Sequence, residues 1–372
     1  MSDDRNALRK DLSRIRNIDG IAVGSAAALL LVGVFSIYSA VAGKGDAAIH
    51  FAVRQLAWGV TGGAVFAVVF CIGYERMLKY SYWIYAGTLL LLAAVLIAGY
   101  TARGAKSWFD FGAFRLQPAE PAKVALALVL ASFLTRYPPK GIMNISGAVL
   151  LSSLVPIMVL LQPDLGTVAV YAFMIFAALV AAGTPKKYLF SMIGTVLFAL
   201  PLGWSMLKEY QKLRMLVFIN PSLDPLGAGY NVIQSRIAVG AGGILGKGFL
   251  EGSQSKLHFL PEPHTDFIFS VFSEEFGFVG AVIVLSLFAV LLWRIVRTAL
   301  RSGDTRGQII VAAISAWIWF QVFENIAMSV GIAPVTGLAL PFISYGGSSL
   351  VSLGAALGLV QSAHVSARPQ YD

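Results

Sequence analysis

Long apolar runs are the feature that most limits what this chain can fold into. About ten of them follow one another between short polar stretches, at 21–42, 56–73, 80–100, 119–135, 144–161, 166–183, 187–207, 267–293, 309–331 and 346–366. A helix of ~20 residues crosses the hydrocarbon core of a bilayer and satisfies its own backbone hydrogen bonds there. The sequence therefore predicts an all-α integral membrane protein, a polytopic bundle of about ten transmembrane helices.

The composition agrees with lipid as the main solvent of the chain. Hydrophobic residues make up 57% of the 372 positions and charged residues 13%, roughly half the charged fraction of an average soluble protein. We therefore expect residues 1–372 to form a single transmembrane domain. The net charge of +9 would suit nucleic acid, but the basic residues are scattered between apolar runs. No nucleic-acid binding is expected.

Basic residues in alternate connections predict the orientation. They are Arg5, Arg9, Lys10, Arg14 and Arg16, then Arg76 and Lys79, Arg136 and Lys140, Lys186 and Lys187, and Arg294, Arg297, Arg301 and Arg306. Because cytoplasmic loops carry an excess of lysine and arginine, both termini are predicted to be cytoplasmic, including the N-terminal segment 1–20. Two larger loops, 101–118 and about 208–266, then lie outside. Apolar spacing from Tyr230 to Val239 predicts a helix at the membrane surface within the second loop.

Charged residues within apolar runs are candidates for function, because they are expensive in lipid. Glu120 and Lys123 are spaced i, i+3 at the start of a predicted helix, so they share one face and can pair. Two interpretations stay open. The pair is either a structural anchor of the helix end, or a cation that faces a phosphate and is held by its neighbouring carboxylate.

Asp266 closes the long outer loop and leads directly into an apolar run. One interpretation is a helix N-cap, where aspartate is favoured. The other is a carboxylate at the outer boundary whose pKa is tuned by its surroundings. Glu274 and Glu275 follow within the same run, and we expect them to make structural bonds inside the bundle.

Two further segments mark outer connections. In the tight turn from Gln162 to Thr167, Asp164 is predicted to cap the next helix. In the segment from Pro341 to Ser349, which includes Ser344, glycines and hydroxyls open the last run; they can offer amides to an anion, or simply start a helix. The histidines lack metal-ligand spacing, so no metal site is expected.

These segments together resemble the SEDS family of shape, elongation, division and sporulation proteins. The similar stretches are Gly104 to Trp108, Gln117 to Lys123, Gln162 to Thr167, Leu260 to Gly277 and Pro341 to Ser349. Their order and spacing match the family over nearly the whole chain, and the stretch from Asn325 to Ser349 looks more like RodA than like the division protein FtsW. The resemblance implies a peptidoglycan glycosyltransferase in the bacterial inner membrane that polymerises lipid II with a class B penicillin-binding protein as partner.

The resemblance also implies roles for individual residues. The essential aspartate of the family matches Asp266, the candidate catalytic base, and its intramembrane pair matches Glu120 and Lys123. Lys123 is the candidate cation for the departing pyrophosphate, with Arg103, Arg115, Arg214 and Arg236 as outer contributors. No cofactor is required, and the sequence is compatible with a divalent cation without indicating one. A lipid II flippase and a non-catalytic scaffold for a penicillin-binding protein are the alternatives.

Overall fold

Helices occupy every apolar run in the computed structural model, which describes residues 16–102, 105–112, 114–207, 209–225, 227–253, 259–260 and 262–367. They are α1 (Gly20–Val41), α2 (Ala47–Ile72), α3 (Tyr74–Lys79), α4 (Ser81–Ala98), α5 (Ala119–Arg136), α6 (Ile142–Leu160), α7 (Leu165–Ala181), α8 (Lys186–Met206), α9 (Glu209–Ile219), α10 (Ala228–Ala241), α11 (Ile268–Arg301), α12 (Thr305–Val330) and α13 (Gly347–Ser366). Each of the ten predicted runs corresponds to one helix, and most runs extend one or two residues beyond it at an end.

Eight helices among the described residues are long and apolar enough to cross a membrane, namely α1, α2, α4, α6, α8, α11, α12 and α13. The other two predicted spans are α5, which carries Glu120, Lys123 and Arg136, and α7, which has 17 residues. Most of α5 is buried against other helices rather than exposed to lipid, which explains how it accommodates charge. The predicted all-α membrane bundle is confirmed.

The connection between α4 and α5 contains a small antiparallel sheet that the sequence pattern did not predict. Its strands are β1 (Tyr100–Ala102), β2 (Ala105–Asp110) and β3 (Arg115–Leu116), in the order β1-β2-β3. Such short strands leave too few residues for an alternating pattern to be recognised. In the long connection between α8 and α11, the predicted helix is present as α10, and α9 precedes it.

The long helix α11 is broken at Gly277, which has a positive φ of 63°. The segment 242–248 packs against the break and supplies the missing hydrogen-bond acceptors. The Phe278 amide donates to the Gly243 carbonyl at 2.9 Å, and the Val279 amide donates to the Ile244 carbonyl at 3.0 Å. Irregular backbone at membrane depth is therefore satisfied inside the protein, as the lipid environment requires.

Glu274 and Glu275 make the structural bonds that the sequence predicted. The Glu274 carboxylate accepts hydrogen bonds from the Lys247 ammonium at 2.7 Å and from the Ser253 hydroxyl at 2.9 Å. The Glu275 carboxylate accepts one from the Ser39 hydroxyl of α1. Both acids thus join α11 to neighbouring segments.

Glycines allow α2 and α13 to approach closely. A Cβ atom built on Gly354 of α13 would lie 2.1 Å from the Gly62 carbonyl oxygen, and one built on Gly62 would lie 2.8 Å from the Leu350 carbonyl oxygen. Real Cβ atoms do not approach backbone this closely, so either side chain would force the helices apart. Small residues commonly serve this purpose in membrane helix pairs.

We predict that Gly62→Ala lowers the thermal unfolding midpoint of the detergent-solubilised protein, because overpacking typically destabilises by about 1–3 kcal/mol. Gly63→Ala is the matched control on the same helix, since a Cβ atom at Gly63 meets nothing within 4 Å. Equal midpoints for the two variants would contradict the close packing of α2 against α13.

Candidate active site

Four connections between helices meet around one polar cavity with a volume of about 360 Å³. Its lining combines the small sheet, the starts of α5 and α7, helix α9, and the segments before α11 and α13. The lining residues are Ser107, Trp108, Gln117, Glu120, Pro163, Asp164, Thr167, Arg214, Glu262, Thr265, Asp266, Gln321, Thr336, Gly337, Leu338, Ala339, Tyr345, Gly346, Ser348 and Ser349. The fold therefore brings Glu120, Asp164, Arg214 and Asp266 to one place.

Asp266 is half-buried and lines this cavity. The N-cap interpretation of Asp266 is wrong, because α11 begins at Ile268 and its N-cap residue is Phe267. Asp266 lies one residue too early to cap the first turn. Gly337 packs against the carboxylate: a Cβ atom there would be 3.5 Å from Asp266 Oδ2, and φ at Gly337 is +78°. A glycine permits both the conformation and the close approach.

Asn325 of α12 fixes the backbone on both sides of the cavity. Its side-chain amide donates to the Asp266 carbonyl oxygen at 2.9 Å and to the Leu338 carbonyl oxygen at 2.8 Å. Asn325 is fully buried. Two irregular segments that are distant in sequence are thereby anchored to one rigid helix, which holds Asp266 in position.

Ser344 makes a second cross-link between the same two segments. Its hydroxyl donates to the Thr265 carbonyl oxygen at 2.7 Å and accepts from the Leu340 amide at 2.8 Å. The next amide, of Tyr345, donates to the His264 carbonyl oxygen at 3.0 Å. The hydroxyl is buried and is absent from the cavity lining. Ser344 therefore supports the geometry around Asp266.

Glu120 and Lys123 form the predicted ion pair, with 2.6 Å between Oε1 and Nζ. Glu120 lines the cavity, whereas Lys123 is fully buried behind it. The Lys123 ammonium lies 4.9 Å from the centroid of the Trp317 ring, and the Trp317 indole donates to the Gln321 side chain at 2.7 Å. Lys123 therefore does not line the cavity itself, but it pairs with Glu120, which does.

Asp164 caps α7 as the sequence predicted. Its carboxylate accepts hydrogen bonds from the Thr167 amide at 3.0 Å and from the Thr167 hydroxyl at 2.8 Å. Burial nevertheless raises the pKa of Asp164 above its ordinary value. The group is a helix cap that also contributes an acidic oxygen to the cavity wall.

The predicted outer arginines separate into two groups. Arg214 of α9 lines the cavity. Arg115 is largely exposed and pairs with Asp110 at 3.0 Å, and Arg236 donates to a backbone carbonyl just after α12 at 2.6 Å. Neither of these two side chains lines the cavity, and Arg103 lies outside the described residues. Arg115 is close to Glu120 in the sequence. Because its side chain pairs with Asp110 at the surface, it does not line the cavity.

A family model described as cell cycle protein, FtsW/RodA/SpoVE, matches residues 21–369. The chain belongs to the FtsW/RodA/SpoVE family. This is the SEDS family that the sequence motifs resemble, and the match covers every element of the cavity.

Individual members of the family are similar over most of the chain. Peptidoglycan glycosyltransferase MrdB of Escherichia coli (strain K12) is 39% identical over 339 residues, which cover 91% of this chain and 90% of that protein. The crystal structure of Thermus thermophilus rod shape determining protein RodA superposes with a TM-score of 0.71 at 32% identity, covering 95% of this chain and 98% of that one. The predicted RodA type agrees with these matches.

A third relative comes from a solved assembly described as structural coordination of polymerization and crosslinking by a peptidoglycan synthase complex. One chain of it superposes with a TM-score of 0.79 at 35% identity. The aligned region covers 93% of this chain and 97% of that one. The whole bundle, and not a fragment of it, is therefore shared within the family.

The sequence analysis did not identify several residues around this cavity as candidate site residues. Gln321, Trp108 and Glu262 line it, and Asn325 anchors it. Glu324 is buried in α12. A charge inside a predicted span was the available signal for Glu324. Asn325 opens a stretch that resembles the family, but no local pattern predicts its bonds to Asp266 and Leu338. In the part of the chain that the structure describes, no three His, Cys, Asp or Glu side chains are grouped to hold a metal ion.

We predict that Asn325→Ala loosens the segments 262–267 and 336–346, because two buried carbonyls lose a donor that is worth about 1–3 kcal/mol. Amide hydrogen exchange followed by mass spectrometry should be faster in peptides from both segments. Ser315→Ala is the control on the same helix, since the Ser315 hydroxyl bonds only within α12. Unchanged exchange in both segments would remove Asn325 as the anchor.

Proposed function

We propose that this member of the family is a peptidoglycan glycosyltransferase that polymerises glycan strands from lipid II for cell elongation and rod shape. The observation that carries the proposal is Asp266, a half-buried carboxylate held by backbone anchors at a polar cavity that also receives Arg214 and Glu120. The similarity to a relative named peptidoglycan glycosyltransferase over 91% of this chain supports the same activity.

We place the chain in the bacterial inner membrane, with both termini in the cytoplasm and the cavity open to the outside. The supporting evidence is that lysine and arginine are concentrated in alternate connections, and such connections are usually cytoplasmic. Four of the cavity-lining segments come from the opposite set of connections. A lipid-linked sugar in the outer leaflet would then reach the cavity from its own side of the membrane.

In the proposed reaction Asp266 is the general base. An acceptor sugar hydroxyl attacks the anomeric carbon of a lipid-linked donor, and the Asp266 carboxylate takes the hydroxyl proton. The bond from the anomeric carbon to the pyrophosphate oxygen breaks, and undecaprenyl pyrophosphate leaves with the bonding electrons. A single displacement converts an α-linked donor into a β-1,4 product. Base catalysis of this kind is typically worth 10²–10⁴-fold in rate.

The leaving pyrophosphate gathers negative charge, and positioned cations stabilise it. Arg214 is the cation that we assign to this task, because it lines the cavity. Lys123 acts indirectly, since its ammonium neutralises the Glu120 carboxylate that would otherwise repel the substrate. The transfer uses no organic cofactor, because it moves a glycosyl group and a proton without any change of oxidation state.

We further propose a class B penicillin-binding protein as partner, which would crosslink the strands that this chain polymerises. The support is the structural similarity to a chain of a peptidoglycan synthase complex in which polymerization and crosslinking are coordinated. Lipid II and membrane lipid complete the proposed set of ligands.

We predict that Asp266→Asn makes no glycan polymer from purified lipid II, with or without the partner protein, because the amide cannot accept the hydroxyl proton. Its thermal midpoint should match that of the unmodified protein. Asp46→Asn is the control, since Asp46 is an exposed acid between α1 and α2 that does not line the cavity. Gel analysis of labelled polymer measures both variants.

The same variant separates the proposed enzyme from its two alternatives. Vesicles in which Asp266→Asn still moves lipid II across the bilayer, together with an unmodified protein that makes no polymer, would favour a flippase. A variant that supports wall synthesis as well as the unmodified protein does would favour a scaffold. Normal polymer from purified Asp266→Asn protein would remove Asp266 from the mechanism.

A charge cycle tests whether Lys123 works through Glu120. Lys123→Met leaves a buried carboxylate without its cation, so it should lower both the thermal midpoint and the activity, and loss of one partner costs about 3–5 kcal/mol. The double variant Glu120→Gln/Lys123→Met removes both charges, and we expect it to regain stability and much of the activity. A double variant that folds normally yet stays inactive would instead place the Lys123 charge directly on the substrate.

A further inference from the structure

A second cavity, with a volume of about 730 Å³, lies at the opposite end of α5. Glu120 lines the first cavity and Arg136 lines the second, and their separation of sixteen positions corresponds to roughly 24 Å of helix. Its lining comes from α3, from the starts of α4 and α12 and from the end of α5: Glu75, Leu78, Lys79, Tyr82, Ser132, Thr135, Arg136, Asp304, Thr305 and Arg306. The proposed glycosyl transfer does not use it.

Three cations line this cavity, and two of them are unneutralised. Arg306 pairs with Asp304 at 3.3 Å. Lys79 and Arg136 have no ion-pair partner among the described residues, and the Arg136 guanidinium instead lies 5.6 Å from the centroid of the Tyr137 ring. Two positive side chains from different helices therefore line one cavity without a salt bridge to another described residue.

Three cations against two acids leave the lining with a formal net charge of +1. Asp304 is already occupied, because it accepts a hydrogen bond from the Tyr74 hydroxyl at 3.0 Å and pairs with Arg306. Glu75 is exposed and makes no ion pair within the described part of the chain. The hydroxyls of Tyr82 and Thr305 add neutral hydrogen-bond donors. Cations combined with hydroxyl donors suit a phosphate group.

Exposed aromatic residues place the cavity at the level of lipid headgroups. Tyr80, Tyr82 and Trp83 stand at the start of α4, and Tyr137 follows the end of α5; all four side chains are exposed. Tyrosine and tryptophan are enriched where a membrane meets water, because their rings are amphipathic. The opening of the cavity is therefore beside the bilayer interface rather than in bulk water.

We infer that this second cavity binds the headgroup phosphate of an anionic phospholipid, with Lys79 and Arg136 as its principal contacts. Basic pockets between membrane helices are known to recognise such headgroups. The volume admits a phosphoglycerol headgroup, and exposed apolar side chains of α4, such as Leu90 and Ile97, extend into the bilayer beside it, where the acyl chains would lie. The inference is independent of the reaction proposed for the first cavity.

The test compares lipid retention by the full-length protein in detergent micelles, measured by native mass spectrometry. Phosphatidylglycerol is the probe and phosphatidylcholine the zwitterionic reference. Lys79→Gln/Arg136→Gln should weaken phosphatidylglycerol binding roughly thirtyfold. The control Lys186→Gln/Lys187→Gln removes the same charge at the start of α8, outside the cavity, and should leave binding unchanged. The conservative variant Lys79→Arg/Arg136→Lys should also retain binding.

Three results would overturn the inference. The first is an equal loss of phosphatidylglycerol in the cavity variant and in the α8 control, which would mean attraction to overall charge. The second is equal retention of phosphatidylglycerol and phosphatidylcholine by the unmodified protein. The third is displacement of phosphatidylglycerol by an equal concentration of inorganic phosphate, which would assign the cavity to a free anion. Thermal midpoints of all variants confirm that each is folded.

Discussion

The hydrocarbon solvent gives backbone amides no alternative partner, and the rest of this structure follows from that constraint. It makes each long apolar run a helix, because a helix satisfies its own amides. Where α11 breaks at Gly277, the segment 242–248 supplies carbonyl acceptors to the freed amides. Where α2 meets α13, the absence of side chains at Gly62 and Gly354 permits the close helix contact. The irregular parts of the bundle are tolerated because protein groups replace water.

The same constraint explains how the active-site cavity is built. Non-helical backbone at this depth is stable when it lines a polar cavity and its carbonyls have donors. Asn325 and Ser344 provide those donors to Asp266, Leu338 and Thr265. Each of these bonds joins segments that are far apart in sequence. A carboxylate held this way is fixed in orientation, which is the preorganisation that the proposed base catalysis requires.

The buried ion pair of Glu120 and Lys123 illustrates a different balance. Burial of two charges is expensive, and their mutual attraction offsets the penalty only with close contact and further polar neighbours. Here the contact is 2.6 Å, and the Trp317 ring faces the ammonium. The pair leaves this part of the cavity wall without net charge. At the far end of the same helix, Arg136 contributes to a second polar space, so α5 joins two chemically different sites.

The sequence by itself determined the membrane helices, the Glu120–Lys123 pair and the Asp164 cap. Helix length, hydropathy and i, i+3 spacing are local properties, and the partners in each case lie within a few residues. Only the tertiary structure decided that Asp266, Arg214, Glu120 and Asp164 share a cavity, that Asn325 anchors it, and that Arg115 and Arg236 point elsewhere. It also showed that Asp266 does not cap α11. These outcomes depend on how helices pack and on bonds between distant segments, and no local pattern encodes such contacts.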